Sequence, residues 1–382
     1  MPTGFQLRVD QVTIHADFKS SSIRFDEVDI GDQVGVFFSK RTLQTESPGC
    51  IVSRDAVFDR DLVSHGTAPV GDCQLVYHKV VPRPGKRHPS LSAVLQSILK
   101  DIKQMMDIRP SPLAGRWYPA NPRKLAESVD GYIQNSSLPE IKGKIVALVS
   151  PHAGHLYSGP VAGYAFHALQ GSQPDLVIIV SPFHQYHPGA VLTTGHDGYQ
   201  TPLGDVPVDR DAISRVDSRL QQAAGVGLTE VRNDGEHAVE ILLPFFQRVL
   251  PEGFQMLPLM IREQDPALMR VLGQILAEQL EVKNTLLAAS TDLSHFHPAR
   301  EARHLDQTVI HHIENLDPEG LYQAHNTGSG SACGLGGLAA VIWAAKAAGH
   351  VTAQVLDYAN SGDITGDNSS VVGYTSAVLI RD

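Results

Sequence analysis

Histidine is the residue type that could carry chemistry here. The chain of 382 residues holds 18 histidines, and only His15, His65, His78 and His88 precede residue 111. Several of the other 14 sit in turns rich in Gly, Ser and Pro. Three apolar stretches run directly into such turns: LVS into PHAGHLYSG, IIVS into PFHQYHPG, and LAAS into TDLSHFHP. His152, His184 and His295 thus follow one repeated arrangement of strand, Ser, turn and His. A lone histidine after a strand is ordinarily a surface or capping residue, whereas three at equivalent positions point to a shared task. Converging neutral imidazoles suit a borderline transition metal such as Zn, Fe or Cu. The chain has no HxxxH or CxxC pair, so a third ligand must come from a distant segment. Cys333 is a candidate, lying in GSGSACGLGG just before the small-residue stretch GLAAVIWAAKAAG. A thiol at a helix N-terminus is easier to deprotonate, which favours metal binding or nucleophilic reactivity. It reads equally well as a small buried hydrophobe.

The segment NDGEHAVEILLPF places Glu236 and His237 at an expected helix start, with Asp234 as its cap and Glu240 one turn beyond His237. Such acids orient imidazoles or move protons; they also simply complement a helix dipole. Asp292, three residues before His295, reads as a ligand, an orienting group or a turn residue. Two other motifs fail their context tests. GSGSACG looks like a phosphate loop but follows the polar, helical stretch LDPEGLYQAHN instead of a strand. NSGDITGDNSS lacks the ligand spacing and closing Glu of an EF-hand. A nucleophile elbow of the G-x-S-x-G type is absent.

From residue 113 on, KIVALVS, DLVIIVS, FQMLPLMI and NTLLAAS read as strands buried on both faces, and AQVLDYA and SVVGYTSAVLI supply the last strands. Between them GPVAGYAFHALQ, EHAVEILLPFFQRVL and PALMRVLGQILAEQL carry apolar residues at helical spacing. The expectation is an α/β domain with one twisted sheet covered by helices. In such sheets ligands bind beyond the carboxyl ends of the strands, where His152, His184 and His295 would converge. Residues 1 to about 80 alternate with period two in FQLRVDQVTIHADF, SSIRFDEVDI and QLVYHKVV, which predicts an N-terminal β-rich extension. A Pro-rich basic connector, Val81 to Pro89, and a predicted helix, LSAVLQSILKDIKQMMDI, follow it, then RPSPLAG breaks the pattern. The domain boundary is expected near residue 110, giving 1–110 as a β-rich module with its linker helix and 111–382 as the α/β domain.

Composition narrows the class. With 42% hydrophobic and 19% charged residues the chain is neither disordered nor collagen-like, and a formal charge of −10 argues against nucleic acid or anionic lipid as partners. The longest weakly polar run, Gly334 to Gly349, is interrupted by Lys346 and is short of the ~20 residues of a membrane span. Neither a signal peptide pattern nor a disulfide framework is read from the sequence, with Cys50, Cys73 and Cys333 widely scattered, so a cytoplasmic, reducing setting is expected.

Taken in order, LAGRWYPANP, SPHAGHLYSGPVAGYAF, VSPFHQYHPG, TPLGDVPVD, EHAVEILLPF, STDLSHFHP, ACGLGGLAAV and LDYANSGDITGDNSSVVGYTSAVL resemble the Memo family, which includes the AmmeMemoRadiSam system protein B. The resemblance covers roughly residues 113–382. It implies a fold similar to class III extradiol dioxygenases of the LigB type, in which two His and one carboxylate hold non-haem iron. It also implies a His, His, Cys metal site formed by His152, His184 and Cys333, with Cys standing where the dioxygenases have a carboxylate. By the same resemblance His295 is a pocket histidine, Glu236 and His237 match the EH motif, and Trp117 and Tyr118 match a WYP motif near the pocket mouth. Many relatives have PHAGY where this chain has PHAGH, so His155 is a possible extra ligand. The implied activity is a metal-dependent oxidoreductase of dioxygenase-like type, with iron first and copper or zinc as alternatives. In it His295, His237, Glu236 and Asp292 serve proton transfer. The rival expectation is a non-catalytic adaptor using the same pocket for a peptide or anionic ligand, since eukaryotic Memo proteins are linked to phosphopeptide binding. A metallohydrolase is the third option. Family analogy adds a radical SAM protein and an AMMECR1-like protein as partners, besides a small-molecule or peptide ligand.

Overall fold

The computed structural model describes residues 106–381 and, nearer the start, the backbone pairing of six strands. Those six are β1 (Gly4–Val9), β2 (Val12–Asp17), β3 (Ser22–Phe25), β4 (Val36–Phe38), β5 (Leu62–Val70) and β6 (Cys73–Val80). They pair antiparallel in two small sheets ordered β1-β2-β3 and β4-β6-β5, so the period-two runs do form strands. The Pro-rich connector and the expected helix after it lie outside the described residues as far as Met105; Ile108, the last residue of that pattern, is in a strand. Contacts divide the chain into two compact units, Met1–Met106 and Asp107–Asp382.

The second unit opens with β7 (Ile108–Arg109), which pairs with β11 (Gly198–Thr201) and, through it, β12 (Gly204–Pro207) in a small sheet. Its main body is a sheet of nine strands. At the centre, β14 (Gln255–Ile261), β9 (Leu176–Pro182), β15 (Thr285–Ser290) and β8 (Lys144–Ser150) lie side by side and parallel. Burial is why they read as unbroken apolar runs: Leu148, Val149, Ile178, Ile179, Leu287 and Ala288 are all at 0% exposure, with helices covering the sheet. Antiparallel partners extend the edges, with β18 (Val371–Arg381) on β8, β17 (Val351–Asn360) and β16 (His295–His297) on β18, and β10 (Val191–Thr194) on β14; β13 (Leu228–Val231) then lies parallel to β10.

The helices follow the sequence signals. Asn121 caps α1 (Pro122–Gln134) and Asp209 caps α3 (Arg210–Ala224), each through a side-chain oxygen that accepts a first-turn N–H. The stretch after the PHAG turn forms α2 (His155–Ala168). One expectation needs correcting: EHAVEILLPFFQRVL does not form one helix from Glu236. It makes a 3-10 turn at Glu240–Leu242 and then α4 (Leu243–Val249), because Pro244 lacks an N–H and is tolerated only in the first turn. Glu236 and His237 therefore sit in irregular backbone before the helix. Beyond it come α5 (Pro266–Val282), α6 (Ala299–Glu314), α7 (Pro318–Thr327), α8 (Leu335–Ala347) and α9 (Ser361–Thr365). The apolar α8 is buried almost all round, packed against α5 and the central strands.

Candidate functional site

The register of the central strands brings the histidine loops together. Ser290 pairs with Ser150 and Ala289 with Val180, so β15, β8 and β9 end level and side by side. The segments after them carry Asp292 and, at the start of β16, His295; then His152; and His184 respectively. A fourth segment, 233–239, brings Glu236 and His237 to the same place. The ring nitrogens that His152, His184 and His237 could offer a metal ion lie within 4.8 Å of one another. Their rings are 5.4 Å (His152–His184), 5.3 Å (His152–His237) and 4.5 Å (His184–His237) apart, centroid to centroid. His237 thus joins the donor group itself, alongside the His152 and His184 that the strand pattern singled out.

Each imidazole is oriented from behind. The Ser290 hydroxyl donates to the Ala238 carbonyl (2.6 Å), so it accepts from His152 Nδ1 (2.9 Å) and leaves the ring's lone pair on Nε2, which faces Cys333 Sγ. His184 Nδ1 donates to Glu236 Oε1 (2.9 Å), because a carboxylate only accepts, and this likewise frees Nε2. His237 Nδ1 is 3.2 Å from the same Oε1. Glu236 is the hub: its carboxylate also accepts the backbone N–H groups of His184 (2.7 Å), His237 (2.8 Å) and Ala238 (3.0 Å). Burial alone would raise its pKa, but these bonds and the neighbouring imidazoles outweigh it and lower it to about 2. Burial also disfavours charge on His184, yet the Glu236 carboxylate overcomes this and raises it. His152 and His237 go the other way. Desolvation, then repulsion from neighbouring imidazoles, pushes His152 well down, and desolvation takes His237 to about 4 against the pull of Glu236.

Cys333 reaches the group from the turn just before α8. Its Sγ lies 3.1 Å from His152 Nε2 and accepts the N–H of Asp292 (3.3 Å), while burial pushes the thiol up to about 12. The next residue must be glycine for this to happen. A Cβ on Gly334 would stand 2.5 Å from the Ser290 carbonyl oxygen, so only a bare backbone lets the loop press against the end of β15. Asp292 accepts the His152 N–H (2.7 Å), and burial raises its carboxyl to about 7. His295 Nε2 is buried without a hydrogen-bond partner among the described residues, and desolvation followed by the charge of His184 lowers this imidazole.

The remaining expected residues divide. Trp117 lays its ring over His237, centroids 4.3 Å apart. Tyr118 is buried at 4% exposure, its hydroxyl donating to Glu240 Oε1 (2.6 Å), so it braces the segment from below. His155 packs on Tyr118 and Phe245 and bonds the Ile241 carbonyl through Nε2 (2.9 Å), outside the group of three nitrogens. Sequence reasoning missed Arg109 and Ser290. The repeated serine before each histidine turn was the signal for Ser290; Arg109, at a domain boundary, offered none.

A transition metal fits these residues: three borderline nitrogen donors converge, two with tautomers set by hydrogen bonds, a thiol stands against one of them, and a buried carboxylate supplies negative charge. The fold and site therefore define an α/β protein with imidazole donors gathered at the carboxyl ends of parallel strands. The chain belongs to the Memo-like protein family, whose model matches residues 109–378. Relatives are MEMO1 family proteins of Nitrosopumilus maritimus (34% identical over 277 residues, 72% of this chain and 100% of that one) and Methanopyrus kandleri (36% over 287 residues, 72% and 99%). That of Thermotoga maritima is 34% identical over 282 residues, 71% of this chain and 99% of the relative. Each relative is thus spanned nearly whole by less than three-quarters of this chain. No described helix is long and apolar enough to cross a membrane.

Proposed function

We propose that this protein is a metal-dependent oxidoreductase of non-haem type, with His152, His184 and Cys333 holding a transition metal, iron first and copper or zinc as alternatives. The observation that carries it is the converging nitrogens of His152, His184 and His237, each backed by a hydrogen-bond acceptor or carboxylate. His237 is a fourth donor in reach. When bound, iron or copper would supply a Lewis-acidic, redox-active centre, and zinc a Lewis acid alone. The chain's own residues do the rest. Glu236 holds His184 and His237 in place, Ser290 fixes the tautomer of His152, and His295 Nε2, buried and unpartnered, is the base that takes a proton from a bound ligand. Trp117 shields the His237 face from water.

Metal analysis of protein purified without an affinity tag tests this, comparing the wild type with His152→Ala and Cys333→Ser under conditions that exclude air oxidation. Metal in the wild type that falls in both variants supports the reading, and equal, near-zero metal in all three ends it. Oxygen uptake with a panel of catechols, dependent on His295, then separates catalysis from mere binding. A second reading, a non-catalytic adaptor for a peptide or anionic ligand, draws on the exposed rings of Tyr186 (84%), on the His184 loop, and Phe296 (78%), next to His295 in β16. Tight ligand binding without oxygen uptake would favour it.

A further inference from the structure

The segment carrying Glu236 and His237 has no repetitive structure to hold it. Between Val231, the end of β13, and the 3-10 turn at Glu240, no residue is in a helix or strand, and Asn233 has a positive φ of 50°. Yet Glu236 must be placed closely enough to accept from both His184 and the backbone of residues 237 and 238. Arg109, at 1% exposure, supplies the missing scaffold. Its Nη2 donates to the carbonyls of Asp234 (3.0 Å) and Glu236 (2.8 Å) and to Asp234 Oδ1 (2.9 Å). Its Nε donates to Asp234 Oδ2 (3.2 Å) and its Nη1 to Glu240 Oε2 (2.5 Å). One planar group therefore ties positions on both sides of His237, a geometry that the point charge of lysine does not reproduce. Tyr199 backs the guanidinium, 4.6 Å from its ring centroid. The start of the same segment is pinned separately, where His196 Nε2 accepts the Asn233 N–H (3.0 Å) and His196 Nδ1 bonds Asp107 (2.9 Å).

We propose that Arg109 is the positioning residue of the centre, fixing the Glu236 backbone so that its carboxylate stays on His184 and on the amides of His237 and Ala238. The consequence for metal binding rests on the function proposed above; the effect on the segment does not. The test uses the full chain and Arg109→Lys, Arg109→Gln and Asp234→Asn. Amide hydrogen exchange of the metal-free proteins is followed in residues 233–240 and in the central strands, and Co2+ alone is titrated with its visible spectrum recorded. The expected result is exchange at least tenfold faster in 233–240 with β14 and β15 unchanged. Co2+ affinity should weaken by about tenfold to a hundredfold, as for other groups that orient metal ligands, with an altered spectrum even in Arg109→Lys, which keeps the charge. Unchanged exchange with wild-type Co2+ affinity and spectrum in a folded Arg109→Lys would overturn the proposal. So would faster exchange spread evenly through the sheet, the mark of a purely structural residue. Should Arg109→Gln fail to fold, the other two variants carry the comparison. A wild type that binds no Co2+ would count against the metal reading alone, since the exchange measurement still decides the role of Arg109.

Discussion

Replacing Glu236 by Gln keeps the side chain's size and removes one oxygen and one charge, which isolates what the hub does. Oε1 receives three donors, from His184 Nδ1, His237 N and Ala238 N, and Oε2 receives one, from His184 N at 2.7 Å. The better amide orientation puts its oxygen toward the three and turns its NH2 against the His184 N–H. One charge-assisted bond, ~1.5–3 kcal/mol, is lost, and a buried donor left unsatisfied costs about 1–3 kcal/mol more. A net loss of ~3 kcal/mol corresponds, at about 2–4 °C per kcal/mol, to a fall in Tm of about 6–12 °C. The looser His184 ring should weaken metal binding by about tenfold to a hundredfold, or ~1.4–2.8 kcal/mol. Thermal melts of the metal-free proteins and equilibrium dialysis against Zn2+ measure the two effects separately. A Tm within 1–2 °C of wild type (~0.5 kcal/mol), with unchanged Zn2+ affinity, would refute the view that the four bonds to this carboxylate hold the site together.

Cys333→Ser is expected to abolish the sulfur-to-metal charge-transfer absorption of the Co2+ form while leaving the fold intact; an unchanged spectrum would remove Cys333 from the ligand set. Gly163→Ala should cost ~1–3 kcal/mol by overpacking, because a Cβ there would lie 2.4 Å from the Tyr132 carbonyl oxygen where α2 crosses α1; metal bound per folded molecule should not change, and a wild-type melting curve would contradict the close packing. Asp306 accepts the Ser294 N–H and the Tyr358 hydroxyl, and burial raises its pKa against the pull of those bonds. A raised folded-state value means stability that is present below the unfolded value of ~3.9 and lost as pH climbs through the folded value, so Asp306→Asn should gain on the wild type in melts run from pH 4 upward, and a flat or opposite trend would count against it. A chain begun at Met106 should melt cooperatively and bind metal like the full chain, whereas one begun at Pro110, lacking Arg109, should bind more weakly; equal binding by both would deny Arg109 its role.

Much of this was legible in the linear chain, because buried parallel strands need continuous apolar runs and the turns after them need Gly, Pro and Ser. KIVALVS, DLVIIVS, FQMLPLMI and NTLLAAS could hardly be anything but central strands, and in the fold they are β8, β9, β14 and β15. His152, His184 and His295 were visible as equivalent positions for the same reason. Local pattern could not say that His237 stands among the converging nitrogens and His155 outside them, since both choices depend on which strand lies beside which. Only the tertiary structure decides that β9, β15 and β8 end level, so that Glu236, from an irregular segment that no periodicity marks, meets His184 more than fifty positions away in the chain. Arg109 is the extreme case. Its partners Asp234 and Glu240 lie 125 and 131 residues downstream, and a hydrogen bond made across such a distance leaves no trace in local sequence, because only the folded backbone brings donor and acceptor into reach.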